Sequence, residues 1–331
     1  MLCRCGLLLL LLPVVLPLGV DRGGACRLKP EVKCVHRMMP LTLVKIVYPV
    51  QEEPVPVLIF LSGADCPHEC YAWLATALAE KGVAVVLASS VADAGFLLSL
   101  PYDGKQLESL ETYRDPGPAA AGLRSLLDEL STLDFLDLSR LVLGGHSMGG
   151  RAALDTIAFG CDFVKFAFAY GTSLVNAGAA HPGDDENFYA KAGTVVPFET
   201  SRGPTVPLLL LGGDKDGVQA ALSTTKKDAT ETVKRTFYEA TSTATDLVIL
   251  KDANHMFLAH PAPSPPHRAA NLDFRIADDL ADHRRAAIVD LLLAAMRQYD
   301  VIPTTSQQGR HNTIADCLED HQDIIAFKDS H

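Results

Sequence analysis

One serine lies between two glycines directly after an apolar segment, in the order Gly145-His146-Ser147-Met148-Gly149. Residues 140–144 have the composition of a short buried strand, and helix-forming residues follow. A Gly-x-Ser-x-Gly motif in this context predicts a sharp strand-to-helix turn that exposes the serine hydroxyl. Gly145 and Gly149 would let the neighbouring backbone come close. The alternative is a glycine-rich connection with an inert serine, but the flanking elements favour Ser147 as a nucleophile.

A serine hydroxyl is a weak nucleophile, so a carboxylate and a histidine are expected downstream, in that order. Asp216 follows the apolar segment 207–211 and would emerge at the carboxyl edge of a sheet. Asp214 competes for the same role. The spacing of Gly213, Asp216 and Val218 favours Asp216, and the alternative for either aspartate is a solvated turn.

His255 has the position that a general base requires. It follows the apolar strand 247–250 by a short turn and precedes a long helical segment. Although a lone histidine is more often structural, its order and location fit the serine–histidine–aspartate template. Three other histidines have no comparable placement and are interpreted as structural or exposed: His146, His260 and His283.

Acyl transfer also needs two N–H donors aimed at a developing oxyanion. The first candidate is the backbone N–H of Met148, the residue after the nucleophile. The second is the backbone N–H of Ala64, which follows Gly63 after the predicted strand 57–61. Because only backbone is needed, these positions tolerate different side chains.

The elements that would position these residues alternate between strands and helices from residue 41 onward. This pattern predicts an α/β fold with a mostly parallel sheet covered by helices on both faces. Strands are expected at 41–48, 57–61, 83–88, 140–144, 164–169, 207–211 and 247–250, and helices at 71–81, 119–130, 148–159 and 278–299. Segment 172–206 has no clear period and is interpreted as an excursion over the active-site edge. Within the tail 303–331, residues 314–327 have the pattern of a short amphipathic helix.

With these residues in place, residues 54–299 resemble the α/β-hydrolase superfamily, within it the chlorophyllase-like, dienelactone-hydrolase-like and cutinase-like esterases. The likeness lies in 57–90, in 141–154 with its Gly-His-Ser-Met-Gly-Gly core, and in 247–257. Chlorophyllases usually have arginine where Met148 stands, and cutinase-like enzymes are more compact. The resemblance implies hydrolysis of a small-molecule or lipid-like ester through an acyl-enzyme, without a metal or organic cofactor.

Composition and the amino terminus restrict the partners and the compartment. The net charge of −11 leaves no broad cationic surface and argues against nucleic-acid binding. Residues 1–25 have the order of a secretory signal peptide, and the apolar stretch is shorter than a membrane span. We expect a secreted or lumenal protein with no stable membrane span after cleavage. An organelle reached through the secretory route also fits, and 26–302 would form the catalytic domain.

Cysteine usage leaves two structural alternatives open. Of 8 cysteines, 2 lie in the leader, so 8 − 2 = 6 would remain, and an oxidising compartment would permit disulfides. The local pairs are Cys26 with Cys34 and Cys66 with Cys70. Cys66-Pro67-His68-Glu69-Cys70 also contains zinc ligand types. Without a second ligand cluster, a local disulfide or packed thiols is the favoured interpretation.

Two rival functions keep the same fold. A hydrolase fold can be retained as a binding or adhesion module, because fold does not determine function. Such modules usually lose the serine or the histidine, whereas this chain keeps all three residue types in order. A second rival keeps the triad and changes the bond, as in a peptidase, a thioesterase or an acyltransferase.

Overall fold

The centre of the structure is one mixed β-sheet. The computed structural model describes residues 30–39, 42–63, 66–88, 123, 126–158, 163–172, 206–223, 227–239, 245–261, 278–304 and 311–330. Within these residues there are nine strands: β1 Val32–Met39, β2 Thr42–Pro49, β3 Val55–Leu61, β4 Ala84–Ala88, β5 Leu136–His146, β6 Val164–Tyr170, β7 Leu208–Gly213, β8 Thr245–Leu250 and β9 Ile325–Ser330.

The strand order across the sheet is β1-β2-β4-β3-β5-β6-β7-β8-β9. The six neighbouring strands β4, β3, β5, β6, β7 and β8 are parallel to one another. The antiparallel pairs are at the two sides, where β1 and β2 flank β4 and where β9 flanks β8. The chain leaves β3 for β4 on one side and then returns to β5 on the other side. Ligands of open α/β sheets bind at such a reversal, at the carboxyl ends of the strands.

Helices cover both faces of the sheet. They are α1 Ala72–Ala79, α2 Met148–Ala158, α3 Gly217–Leu222, α4 Glu231–Glu239, α5 Asp278–Gln298 and α6 Ile314–Asp320, with a further helical turn at 126–130. Alternate residues of β3 belong to different cores: Leu58 and Phe60 pack with α1 and α5, and Val57 and Ile59 pack with α2 and α4. Because both faces are buried, the central strands are continuous apolar runs.

The sequence predicts the central strands correctly but misassigns the carboxyl-terminal edge. The predicted helix over 314–327 is wrong in its second half, because α6 ends at Asp320 and residues 325–330 form β9 beside β8. The sequence analysis also did not predict strand β1. Of the predicted helix 119–130, the described residues 123 and 126–130 are helical. The excursion 172–206 lies almost entirely outside the described residues, as do the leader 1–25 and Ala64.

The described cysteines form no disulfide with one another. Cys66 and Cys70 are buried in the core and form no disulfide with each other, so of the two alternatives that the sequence left open for them, a local disulfide and packed thiols, the structure has packed thiols. Cys34 is also free, whereas Cys26 lies outside the described residues. In the described part of the chain, no helix combines the length and apolar character needed to cross a membrane.

Candidate active site

Ser147 lies in a strained turn between β5 and α2. Its φ of 53° is in the left-handed region, which a residue with a side chain rarely adopts. The backbone N–H of Ser147 donates to the Tyr170 carbonyl at 2.9 Å, and its own carbonyl accepts from Arg151 N–H at 2.9 Å. The turn is thus held on one side by β6 and on the other by α2.

The two motif glycines are required by close backbone packing. A Cβ at Gly145 would overlap the Gly149 carbonyl, and a Cβ at Gly149 would overlap the carbonyl oxygens of Leu61 and Ser62. The residues after β3 therefore lie directly against the first turn of α2.

We expect Gly149→Ala to lower the free energy of unfolding by about 3 kcal/mol or more, at the upper end of overpacking effects, because backbone must move. Gly212→Ala is the matched control: its nearest contact is the end of the Ile249 side chain at 3.0 Å, which can shift. That variant should lose about 1 kcal/mol. Urea unfolding measures both, and equal losses would contradict the packing account.

Ser147, His255 and Asp216 form one hydrogen-bonded line. The distance from Ser147 Oγ to His255 Nε2 is 2.9 Å, and the distance from His255 Nδ1 to Asp216 Oδ2 is also 2.9 Å. An ionised carboxylate can only accept, so Nδ1 carries the proton and Nε2 accepts from the serine hydroxyl. The histidine is 2% exposed and the aspartate 0%, so water does not compete for the bond between them.

Both oxygens of Asp216 have assigned partners. While Oδ2 faces His255, Oδ1 accepts from the Gln219 backbone N–H at 2.8 Å and caps α3. The Gln219 side chain in turn donates to the Gly171 carbonyl at 2.9 Å and accepts from the Thr232 hydroxyl at 2.6 Å. The carboxylate is thereby fixed in orientation by α3, which in turn is bound to α4 and to the residue that follows β6.

Asp214, the competing aspartate, stabilises a turn and does not contact the histidine in the structure. Its Oδ1 accepts from the Asp252 backbone N–H at 2.6 Å, which closes the turn between β8 and His255. Asp252 has a φ of 53°. Burial raises the pKa of the Asp214 carboxyl above its ordinary value. The structure therefore places Asp216, and not Asp214, against the histidine.

Gly171 packs directly against the side chains of His255 and Asp216. Its φ is +60°, and a Cβ there would lie 3.1 Å from His255 Nδ1 and 3.2 Å from Asp216 Oδ2. A larger residue would be strained in conformation and would press on both side chains.

A second hydrogen-bonded chain runs behind the site and is fully buried. The His255 carbonyl can only accept, so His146 Nε2 donates to it at 2.8 Å and His146 Nδ1 is left as an acceptor. That nitrogen receives the Tyr71 hydroxyl at 2.8 Å, and the Tyr71 oxygen accepts from Gly63 N–H at 3.0 Å. Burial raises the pKa of the Tyr71 phenol well above its ordinary value, which keeps it a donor. The chain links the loop after β3, the elbow and the backbone of His255.

The predicted oxyanion donors have different outcomes. Met148 is the first residue of α2, and N–H groups in the first turn of a helix have no partner within that helix. Ala64 lies outside the described residues, but its neighbours Ser62 and Gly63 are buried beside the elbow. Ser62 is fixed by its hydroxyl, which donates to the Ala88 carbonyl at 3.1 Å.

The structure describes residues 66–70, the segment that contains zinc ligand types. No group of three neighbouring ligand atoms forms there, and the His68 imidazole lies 2.9 Å from the Glu69 carboxylate. Burial lowers the pKa of His68 and raises that of the Cys70 thiol. Packed thiols, the alternative that the sequence left open, describe Cys66 and Cys70.

Sequence reasoning missed four residues of this site: Tyr71, His146, Gly171 and Gln219. His146 had been interpreted as structural or exposed, and it is 1% exposed. A glycine directly after a predicted strand was a usable signal for Gly171. The other three depend on pairings between distant segments, such as the 75 residues between Tyr71 and His146, which no local pattern reveals.

Comparison with known proteins supports the architecture. No protein-family model and no curated protein matches the chain. A solved structure from Klebsiella pneumoniae subsp. pneumoniae, described as a candidate dienelactone hydrolase, is similar with a TM-score of 0.51 at 18% identity. The match covers 81% of this chain and 100% of the other. This chain has the α/β-hydrolase fold, and the likeness gives no support to the chlorophyllase or cutinase branches.

Proposed function

We propose that this protein is a serine hydrolase that cleaves carboxylic esters through an acyl-enzyme. The observation that carries the proposal is the line of two 2.9 Å contacts from Ser147 through His255 to Asp216, at the strand-order reversal of the sheet. The Klebsiella protein's description names a dienelactone, which is a cyclic ester, but at 18% identity that likeness carries only the fold.

In the proposed reaction, Ser147 Oγ attacks the ester carbonyl while His255 Nε2 takes the hydroxyl proton. Asp216 holds the histidine in the tautomer that this transfer requires and stabilises the imidazolium. The Met148 N–H, together with the N–H of Ala64, stabilises the oxyanion. The imidazolium then protonates the leaving alcohol, and a water molecule activated by the same histidine releases the acid and regenerates Ser147.

Two features favour this proposal over a binding module. Ser147 has a φ of 53°, and strain of this kind costs about 1–3 kcal/mol, which an inert loop need not keep. In addition, both carboxylate oxygens of Asp216 and both imidazole nitrogens of His255 have partners that orient them. An adhesion surface would require neither.

Met148 favours an apolar ester. Its side chain is 42% exposed next to the proposed nucleophile, one of a few large hydrophobic side chains among the described residues with such exposure. A substrate with an apolar acyl or alcohol group would cover it, and a lipid-like ester has that character.

The test is hydrolysis of chromogenic esters of graded acyl length, alongside the matched anilide, the matched thioester and chlorophyll. We expect turnover of esters with kcat/KM rising with acyl length over the short chains. Preference for the anilide would indicate a peptidase, and preference for the thioester a thioesterase. No turnover of any substrate, together with no reaction with a fluorophosphonate, would support a binding module.

Tyr71 is expected to act as a positioning residue. Tyr71→Phe removes the hydroxyl that joins Gly63 N–H to His146, and we expect kcat to fall about 10-fold or more with KM little changed, because one lost buried hydrogen bond is worth about 1–3 kcal/mol. Steady-state kinetics on the best ester measure the effect.

Tyr299→Phe is the control for that prediction. Tyr299 OH donates to Asp246 Oδ2 at 3.0 Å near the start of β8, whereas Ser147 follows the carboxyl end of β5. Its loss should lower stability by a similar amount and leave kcat unchanged. If both variants lose kcat equally, Tyr71 acts through stability alone.

A further inference from the structure

Three side chains with metal-binding chemistry meet in the carboxyl-terminal segment, away from Ser147, Asp216 and His255. One ligand atom from each of His311, Cys317 and His321 lies within 4.8 Å of the others. Cys317 is in α6 and His321 is its C-cap residue, four positions later and therefore on the same face. His311 precedes α6, and its carbonyl accepts from Arg297 Nη1 of α5 at 2.8 Å.

Each histidine has a carboxylate beside one ring nitrogen. Asp290 Oδ2 lies 3.3 Å from His321 Nε2, and Asp320 Oδ2 lies 3.6 Å from His311 Nε2. The Asp290 carboxylate accepts a hydrogen bond from Nε2 of His321, so the proton of this ring is on Nε2 and the lone pair is on Nδ1. Histidines that bind metals usually have this second partner.

The Nδ1 atom of His321 is buried and has no hydrogen-bond partner among the described residues. A buried acceptor left without a partner costs about 1–3 kcal/mol, and such atoms in native structures require an explanation. A bound cation next to this lone pair would supply one.

The surroundings of Cys317 favour a cation. The residue is 1% exposed. The carboxylates of Asp290 and Asp320 lie beside the two histidines of the same group, and the guanidinium of Arg297 binds the His311 carbonyl nearby. The two carboxylates would attract a cation to the three ligand atoms.

We propose that His311, Cys317 and His321 form a Zn²⁺ site, with water as the fourth ligand. Two imidazole nitrogens and one sulfur are a donor set that zinc prefers. Small side-chain rotations would bring the ligand atoms to about 3.4 Å apart, the edge of a tetrahedron with zinc bonds of about 2.0–2.3 Å. On binding, the Cys317 S–H bond breaks, the thiolate bonds to zinc and the proton passes to solvent.

The site would stabilise the edge of the sheet. Residue 324, between α6 and β9, accepts from Lys251 N–H at 2.8 Å, in the turn that leads from β8 to His255. A metal that clamps α6 onto Asp290 of α5 would hold β9 in place, and it would raise the thermal unfolding temperature by mass action. This inference is independent of the ester proposal.

The experiment uses the full chain, treated with a chelator and dialysed. Calorimetric titration with Zn²⁺ should give one equivalent per chain and raise the unfolding temperature. Titration with Co²⁺ should give a thiolate-to-cobalt charge-transfer band and the visible bands of a tetrahedral centre. Cys317→Ala should remove the charge-transfer band, and Asp290→Asn should weaken Zn²⁺ binding about 10–100-fold, the usual effect of losing such a partner.

Two variants serve as matched controls. Cys34→Ser removes an exposed thiol and His283→Gln removes an exposed imidazole whose ring centre is 6.2 Å from that of His321. Both should bind Zn²⁺ as the parent does. Near-ultraviolet circular dichroism checks folding, and if Cys317→Ala does not fold, His321→Gln takes its place. Equal Zn²⁺ affinity in the parent and the folded ligand variants, or no charge-transfer band, would overturn the proposal.

Discussion

Ser147→Ala should lower kcat for the best chromogenic ester by about 10⁶-fold, the effect expected when one member of a coupled catalytic unit is removed. The hydroxyl that lies 2.9 Å from His255 Nε2 is lost, and no other group on this line can form an acyl-enzyme. The fold should persist, because the hydrogen bonds that hold this turn use the serine backbone and not its side chain.

A double variant tests whether the residues act as one unit. His255→Gln alone should cost about as much as Ser147→Ala, and the two together should cost no more than either alone, because the lost step is the same. Single-turnover measurements with a burst-phase substrate separate acylation from product release. Survival of more than a small fraction of activity in Ser147→Ala would remove the nucleophile assignment, and additive losses would contradict the coupled unit.

Asp216→Asn should lower kcat by about 10⁴-fold while leaving the protein folded. An asparagine side chain can still accept from the Gln219 N–H and cap α3, since asparagine is a good N-cap residue. Its amide nitrogen cannot accept from His255 Nδ1, so the histidine would adopt the wrong tautomer to receive the serine proton. Steady-state kinetics and urea unfolding on the same preparations measure the two effects.

Asp214→Asn is the matched control for that variant. It changes the neighbouring carboxylate, which accepts from Asp252 N–H and does not contact His255 in the structure. We expect a change in stability within about 1 kcal/mol, the worth of one hydrogen bond, and kcat within about tenfold of the parent. The reverse ranking, with Asp214→Asn the more damaging to kcat, would transfer the acid role to Asp214.

The parallel centre of the sheet was predictable because its strands are buried on both faces. Segments such as 57–61 and 207–211 are uninterrupted apolar runs, which leave few alternatives once turns bound them. Strand β9 gave no such signal: its residues alternate between half-buried and exposed, and it pairs with β8, some 80 residues earlier in the chain. The apolar residues of α6 and β9 together have the spacing of one amphipathic helix, which is why the sequence predicted a helix over 314–327.

Only those site residues could be predicted that are identified by their order in the chain and by their position at the end of a strand. Ser147, Asp216 and His255 follow three parallel strands, whose carboxyl ends must share one edge of the sheet. The choice between Asp214 and Asp216 rested on spacing and agrees with the hydrogen bonds. The second hydrogen-bonded chain, through Tyr71 and His146, joins three segments that are distant in the sequence, so no local sequence pattern predicts it.

Peptide mapping by mass spectrometry after reaction with a fluorophosphonate identifies the side chain that acts as the nucleophile in the folded protein, which we assign to Ser147. We expect one adduct per chain, on the peptide that contains Ser147, formed more slowly in Asp216→Asn and absent in Ser147→Ala. An adduct on another residue, or no adduct on folded parent protein, would contradict it.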